Sequence, residues 1–116
     1  MKFLFLQPFI PSDSDFEASK NFFAELGFNI NWDAGDYVGF QNGECKFILQ
    51  KSDNKEFAEN LMISVAIDNA DEFRNEVLAK KLPEKFGIRI GEAAYMPYGR
   101  EVNVIDLAGV CWHFVQ

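Results

Sequence analysis

The chain is short of histidine and cysteine, holding one of the former and two of the latter, Cys45 and Cys111. With no export signal in view, two cysteines read as thiols in a reducing cytoplasm rather than as a disulfide framework. Positive charge is also scarce: eleven Lys and Arg stand against eighteen Asp and Glu, a net charge of −7. Such a surface repels phosphate backbones and anionic lipid, which argues against nucleic-acid and membrane partners. No apolar run approaches the roughly 20 residues of a membrane span. The opening Met1-Lys2-Phe3-Leu4-Phe5-Leu6 lacks a small-residue cleavage pattern, so it is expected to belong to the mature protein.

What the chain does have is apolar mass. It is 48% hydrophobic and contains thirteen Phe, which rules out disorder, collagen-like repeats and coiled coil. A chain of 116 residues makes one domain and buries roughly two-thirds of its unfolded surface, so neither a disulfide nor a structural metal is required.

The segment Lys2 to Ile10 is apolar in both alternating sets, as a strand buried on two faces would be, and Pro11 ends it. Ser14 and Glu17 fit a capping box, and Phe16, Phe22, Phe23 and Leu26 recur at helical spacing up to Gly27. Three short extended pieces follow: Phe28 to Trp32, Tyr37 to Phe40 and Glu44 to Gln50, the last two joined by Asn42-Gly43. A polar stretch, Lys51 to Asn60, reads as a linker. The second half restarts with a strand at Leu61 to Asp68. A helix follows, capped by Asn69 with Glu72 and stopped by Pro83. Strands are then expected at Ile88 to Ile90, Arg100 to Ile105 and Val110 to Gln116, with a Gly- and Pro-containing passage through Gly91 to Gly99 and a turn at Leu107-Ala108-Gly109.

Each half thus reads βαβββ, covering residues 1–50 and 61–116 on either side of a 51–60 linker. A residue-level repeat supports the division: Gly43-Glu44-Cys45-Lys46-Phe47-Ile48-Leu49-Gln50 lies beside Gly109-Val110-Cys111-Trp112-His113-Phe114-Val115-Gln116, with Gly, Cys and Gln at identical offsets. One module is too small to bury its own sheet. An α+β fold is expected, in which two βαβββ modules form a curved, barrel-like mixed sheet with helices outside.

This layout, with Pro97-Tyr98-Gly99-Arg100-Glu101 running to Asp106-Leu107-Ala108-Gly109 and on into Trp112-His113-Phe114, resembles the vicinal oxygen chelate superfamily. That group includes glyoxalase I, extradiol dioxygenases, fosfomycin-resistance enzymes and bleomycin-resistance proteins. The likeness spans nearly the whole chain. Fold does not fix function, because the scaffold hosts both metal enzymes and metal-free binders.

In the metal-dependent members, His, Glu or Gln side chains on the first and last strands of each module converge on the concave side. The resemblance places those positions at Gln7, Phe47, Met62 and His113. Phe has no donor, and a thioether suits soft rather than hard or borderline ions. A one-residue slip on the fourth strand would offer Ile48, and a slip of three would offer Gln50 on the opposite face. Ser64 and Asp68 add only a weak donor and a loop-start residue. No metal and no cofactor are therefore expected. His113 could be a lone general base, a ligand contact or a satisfied wall residue; no triad can be assembled around it from the sequence. Cys111 lies on its strand face, yet nothing nearby in sequence lowers its pKa, which reads as an inert thiol.

Alternation from those four positions puts Phe5, Phe9, Cys45, Leu49 and Ser64 inside, and turns Leu4, Leu6, Ile48, Ile63, Val65, Trp112 and Phe114 toward the helices. Trp32, Phe40, Tyr95, Met96 and Tyr98 fall on strands or loops around the pocket mouth. An aromatic recess in an acidic protein suits a flat, apolar and cationic molecule, and Arg100 with Glu101 could line it or form a surface ion pair. The resemblance is nearest in character to bleomycin-resistance proteins, metal-free cytoplasmic homodimers that sequester a cationic antibiotic between subunits. The expected ligand-binding residues are Phe5, Gln7, Trp32, Phe40, Phe47, Met62, Tyr98, Arg100 and His113. The rival readings are a glyoxalase-like lyase or ring-cleaving oxygenase with a displaced metal site, and an interaction module whose inner face is packed shut.

Overall fold

A computed structural model describes all 116 residues, and it divides the strands between two hydrogen-bonded sheets. The first module contributes β1 (Phe9–Pro11), α1 (Phe16–Leu26), β2 (Asn29–Asp33), β3 (Tyr37–Asn42) and β4 (Cys45–Gln50), in sheet order β1-β4-β3-β2. A short α2 (Lys55–Glu59), capped by the Asn54 side chain, interrupts what the sequence offered as a plain linker. The second module contains β5 (Met62–Ala66), α3 (Ala70–Ala79), α4 (Leu82–Phe86), β6 (Arg89–Ile90), β7 (Ala94–Met96), β8 (Gly99–Ile105) and β9 (Cys111–Val115). Its order is β5-β9-β8-β6, with β7 paired to a further stretch of β8. The α+β class, the pair of modules and the outer helices are as the sequence indicates, but the second module adds a short helix, α4, and, within the passage expected to be irregular, a strand, β7; the sheets remain separate and no barrel closes.

Local chemistry explains most boundaries. Asp15, one residue later than the expected Ser14, caps α1 by accepting the Ala18 N–H at 3.0 Å. Gly27, at φ 129°, returns its own N–H to the Phe23 carbonyl at the other end. Asn69 caps α3 through the Glu72 N–H as the spacing suggested. Pro83 does more than stop that helix: it sits in the first turn of α4, where its missing N–H has no partner to lose.

The first strand is much shorter than Lys2 to Ile10. β1 runs parallel to β4 with Phe9 opposite Ile48, and β4 begins only at Cys45. In that register Gln7 and Leu6 would fall opposite Lys46 and Cys45, and only residues before Leu6 would pass the start of β4; the chain nevertheless leaves the ladder ahead of Phe9. The arm is left outside the sheet, with Phe3 93%, Leu4 80% and Leu6 84% exposed.

The helix-side faces of both sheets meet in one cluster of buried residues drawn from both modules. Phe23 of α1 is its hub, 4.9 Å from Phe47, 5.8 Å from Phe40 and 5.3 Å from Trp112 between ring centroids. Phe73 of α3 stacks on Phe114 at 4.1 Å. Aromatic pairs at these separations add about 0.5–1.5 kcal/mol each beyond their burial. The Asp106-x-x-Gly109 turn holds the last hairpin onto this core. One Asp106 carboxylate oxygen accepts the N–H groups of Ala108, Gly109 and Val110, each at 3.0 Å, and the other accepts the Trp112 indole N–H at 2.9 Å.

Candidate functional site

Strand alternation decides which side chains face the open side of each sheet. Phe47 and Leu49 turn toward α1 and are buried, as are Trp112 and Phe114 in the second module. Phe47 is therefore the counterpart of Trp112, and Ile48 is the counterpart of His113: Phe9 lies opposite Ile48, and Ser64 lies opposite His113. This corrects the expectation that Phe47 and Leu49 line the inner face with Ile48 behind them. The repeated Gly, Cys and Gln letters are one residue out of step with the three-dimensional repeat. Phe40 also leaves the expected site, fully buried and stacked on Phe47 at 5.1 Å. Met62, Ser64, Phe9 and His113 do face the open side.

Apart from Trp32 and Arg100, the remaining expected residues fall in or beside two neighbouring places. A groove of about 710 Å³ runs between the N-terminal arm and β5. Leu4, Phe5 and Leu6 form one wall, the strand residues from Met62 to Ala66 form the other, and Phe47 and Trp112 reach its base. Lys46 sets its ammonium 3.8 Å above the Phe5 ring centroid at the rim. Gln7 lies in the arm rather than in a strand, next to this groove but outside its lining.

Across β5 from the groove, β8 and β9 carry a polar chain. His113 Nδ1 is 3.2 Å from the Glu101 Oε1, and His113 Nε2 is 3.4 Å from the Cys111 Sγ. Tyr98 donates its hydroxyl proton to the same Glu101 oxygen at 2.8 Å, which pushes the phenol pKa upward. Glu101 is 6% exposed, whereas Tyr98 keeps most of its ring in solvent. Burial, with the Glu101 and Asp106 carboxylates adding to it, raises the Cys111 thiol above its ordinary range. Opposite His113 on β8, the side-chain oxygen of Asn103 is buried without a hydrogen-bond partner.

Trp32 and Arg100 are held apart from both places. Trp32 lies across Gly39, where an added Cβ would fall 2.1 Å from the indole nitrogen; only the absent side chain lets the ring lie there. Arg100 forms a two-pronged pair with Asp71 of α3 at 2.9 and 3.0 Å and covers the Tyr95 ring at 4.4 Å. The ion-pair reading of Arg100 is the one realised. Glu101 instead joins His113, a pairing that sequence proximity does not reveal, since the two are brought together by hairpin register.

A chelated divalent ion needs three or four converging N or O donors and an open position. The structural counterparts of such positions are Gln7 in the arm, Ile48, Met62 and His113, whose two ring nitrogens already face Glu101 and Cys111. A hydrocarbon, a thioether and an engaged imidazole do not make that site.

A family model described as Bleomycin resistance protein-like N-terminal matches residues 4–43. Among solved structures, the bleomycin-binding protein from bleomycin-producing Streptomyces verticillus, complexed with copper(II)-bleomycin, superposes with a TM-score of 0.79 at 22% identity, covering 99% of this chain and 97% of that one. A bleomycin resistance determinant encoded on the transposon Tn5 gives 0.80 at 19% identity over 98% of both chains. An antibiotic-binding protein from Streptomyces sp. CB03234 gives 0.76 at 19%, covering 100% of this chain and 98% of that one. No curated protein matches the sequence. The chain thus shares the fold of these proteins over nearly its whole length, and most of its first module matches the bleomycin-resistance-like family model.

Proposed function

We propose that the protein binds and sequesters a small aromatic or amphipathic, cationic compound in the manner of bleomycin-resistance proteins. The groove between the N-terminal arm and β5 carries this reading: its volume suits a drug-sized molecule, and its walls are mainly apolar. Lys46 is pinned over Phe5 at one rim, so the cation of a ligand is better served by the acidic remainder of the surface, the chain bearing a net charge of −7. Solved relatives that bind bleomycin share the fold. Phe3, Leu4 and Leu6 expose more apolar surface than an isolated arm keeps stably in water, which supports a homodimer in which a second copy covers the arm and completes the groove. The working compartment is the cytoplasm, where Cys45 and Cys111 remain thiols.

Equilibrium dialysis and thermal shift against a panel of planar cationic compounds, bleomycin included, provide the test. At least one member binds in the micromolar range or better and raises Tm, and Ser64→Trp, which puts an indole into the groove, abolishes that shift. A panel without a single stabilising compound overturns the proposal.

A further inference from the structure

We propose that Cys111, His113 and Glu101 form an electrophile-capture site, in which the Cys111 thiol adds covalently to an activated carbon of a small molecule with His113 as general base. The ligand class is an α,β-unsaturated carbonyl compound. This goes beyond reversible binding and does not depend on the groove being the ligand site; it needs only that a small molecule reach the open face of β5 and β9.

The geometry has the order of a nucleophile, a base and an orienting carboxylate. β9 sets Cys111 and His113 two residues apart on one face, with sulfur 3.4 Å from Nε2. Glu101 faces the other ring nitrogen at 3.2 Å. A carboxylate accepts only, so Nδ1 must carry the proton and donate it, which leaves the Nε2 lone pair directed at the thiol. Tyr98 donates to the same Glu101 oxygen at 2.8 Å, so the orienting group is fixed before any ligand arrives. Glu101 is a positioning residue here, acting through the imidazole.

The surroundings decide the manner of activation. Because burial and the Glu101 and Asp106 carboxylates hold the thiol protonated, a resting thiolate is not the nucleophile. The proton leaves as the bond forms, which calls for a base in contact with sulfur. In the addition, a sulfur–carbon bond forms at the β-carbon and the carbon–carbon π bond breaks. Its electron pair passes into the carbonyl as an enolate, while the thiol proton moves to Nε2. That proton then returns to the α-carbon, so the net change is addition of S–H across C=C, without oxidant, reductant or leaving group. Met62 of β5, paired with Cys111 of β9, is 68% exposed, so the approach to sulfur is flanked by an exposed, soft side chain.

Cys45 supplies an internal reference, being the more exposed thiol and free of any histidine contact. The full chain is treated with limiting N-ethylmaleimide at neutral pH, and adducts at each cysteine are followed by peptide mass spectrometry. In the unaltered protein Cys111 reacts faster than Cys45 despite its lower exposure. His113→Asn slows Cys111 by at least about tenfold, the lower edge of what a positioned base contributes, and leaves Cys45 unchanged. Glu101→Gln slows Cys111 by a smaller factor. The Cys111 rate falls in deuterium oxide for the unaltered chain but not for His113→Asn, a signature that a merely structural histidine would not produce. An unchanged Cys111-to-Cys45 ratio in His113→Asn overturns the proposal. So does a Cys111 that stays unmodified while Cys45 saturates, a result obtained on the unaltered chain and independent of how any variant folds.

Discussion

Replacing Asp106 tests how the last hairpin is held. Its carboxylate satisfies four donors, the backbone N–H groups of Ala108, Gly109 and Val110 and the Trp112 indole N–H, and all four lie at 2.9–3.0 Å. Gly109 keeps a second partner in the Asp106 carbonyl at 3.1 Å, so Asp106→Ala strands three donors outright. At about 1–3 kcal/mol for each buried donor left unpaired, and with water re-solvating part of the turn, the loss is about 4 kcal/mol. That is a large fraction of the 5–15 kcal/mol that holds an ordinary domain folded. Asp106→Asn is more discriminating. Its amide keeps one acceptor for the three backbone groups but turns an N–H₂ toward the indole N–H, at a cost of about 2 kcal/mol. In a Trp112→Phe background that donor is gone, and the same change costs about 1 kcal/mol or less. Urea unfolding followed by far-ultraviolet circular dichroism gives the four midpoints of the cycle. A coupling of about 1–2 kcal/mol is expected; additivity within about 0.5 kcal/mol would refute the idea that the carboxylate works through the indole.

Three further outcomes follow from the geometry. Gly39→Ala pushes the Trp32 ring off β3, since the new methyl would meet the indole nitrogen at 2.1 Å; tryptophan emission shifts to the red and stability falls by about 1–3 kcal/mol. Arg100 lowers the Asp71 pKa below the ordinary 3.8 through its hydrogen bonds, so this pair's contribution is present above 3.8 and disappears as pH falls through the folded-state value. The Tm difference between the unaltered chain and Asp71→Asn accordingly narrows on acidification from pH 5 toward pH 2, and a gap that widens instead contradicts the sign. Protein purified without chelator contains well under one equivalent of Ni, Zn, Mn or Fe by elemental analysis; a stoichiometric ion would show that the donor argument built on Ile48 and Met62 is mistaken.

Much of the fold was legible because its signals are local. Asn69 with Glu72, Gly27 after a run of spaced Phe, and Asn42-Gly43 each state a cap, a helix end or a hairpin in two to four residues. What escaped depends on partners distant in sequence. The apolar alternation of Lys2 to Ile10 promises a long strand, yet the ladder with β4 starts only at Phe9. The faces of Phe47 and Ile48 were exchanged because three matching letters outweighed the pattern of large aromatics that pack on Phe23. The Cys111–His113 half of the polar chain was visible as i, i+2 neighbours; Glu101 was not, because only the register that sets Asn103 opposite His113 brings it to the ring. The useful signal would have been a buried acid two residues from a ladder partner of the sole histidine.

The one-residue mismatch between the lettered and spatial repeats bears on any attempt to build a symmetric version of this chain. Grafting the second half onto the first by aligning Cys45 with Cys111 would turn every transplanted side chain of the final strand inside out, sending the imidazole into the Phe23 cluster and the indole into water. A chimera designed on the Phe47–Trp112 equivalence keeps oil with oil, and only that frame can give two identical halves that fold.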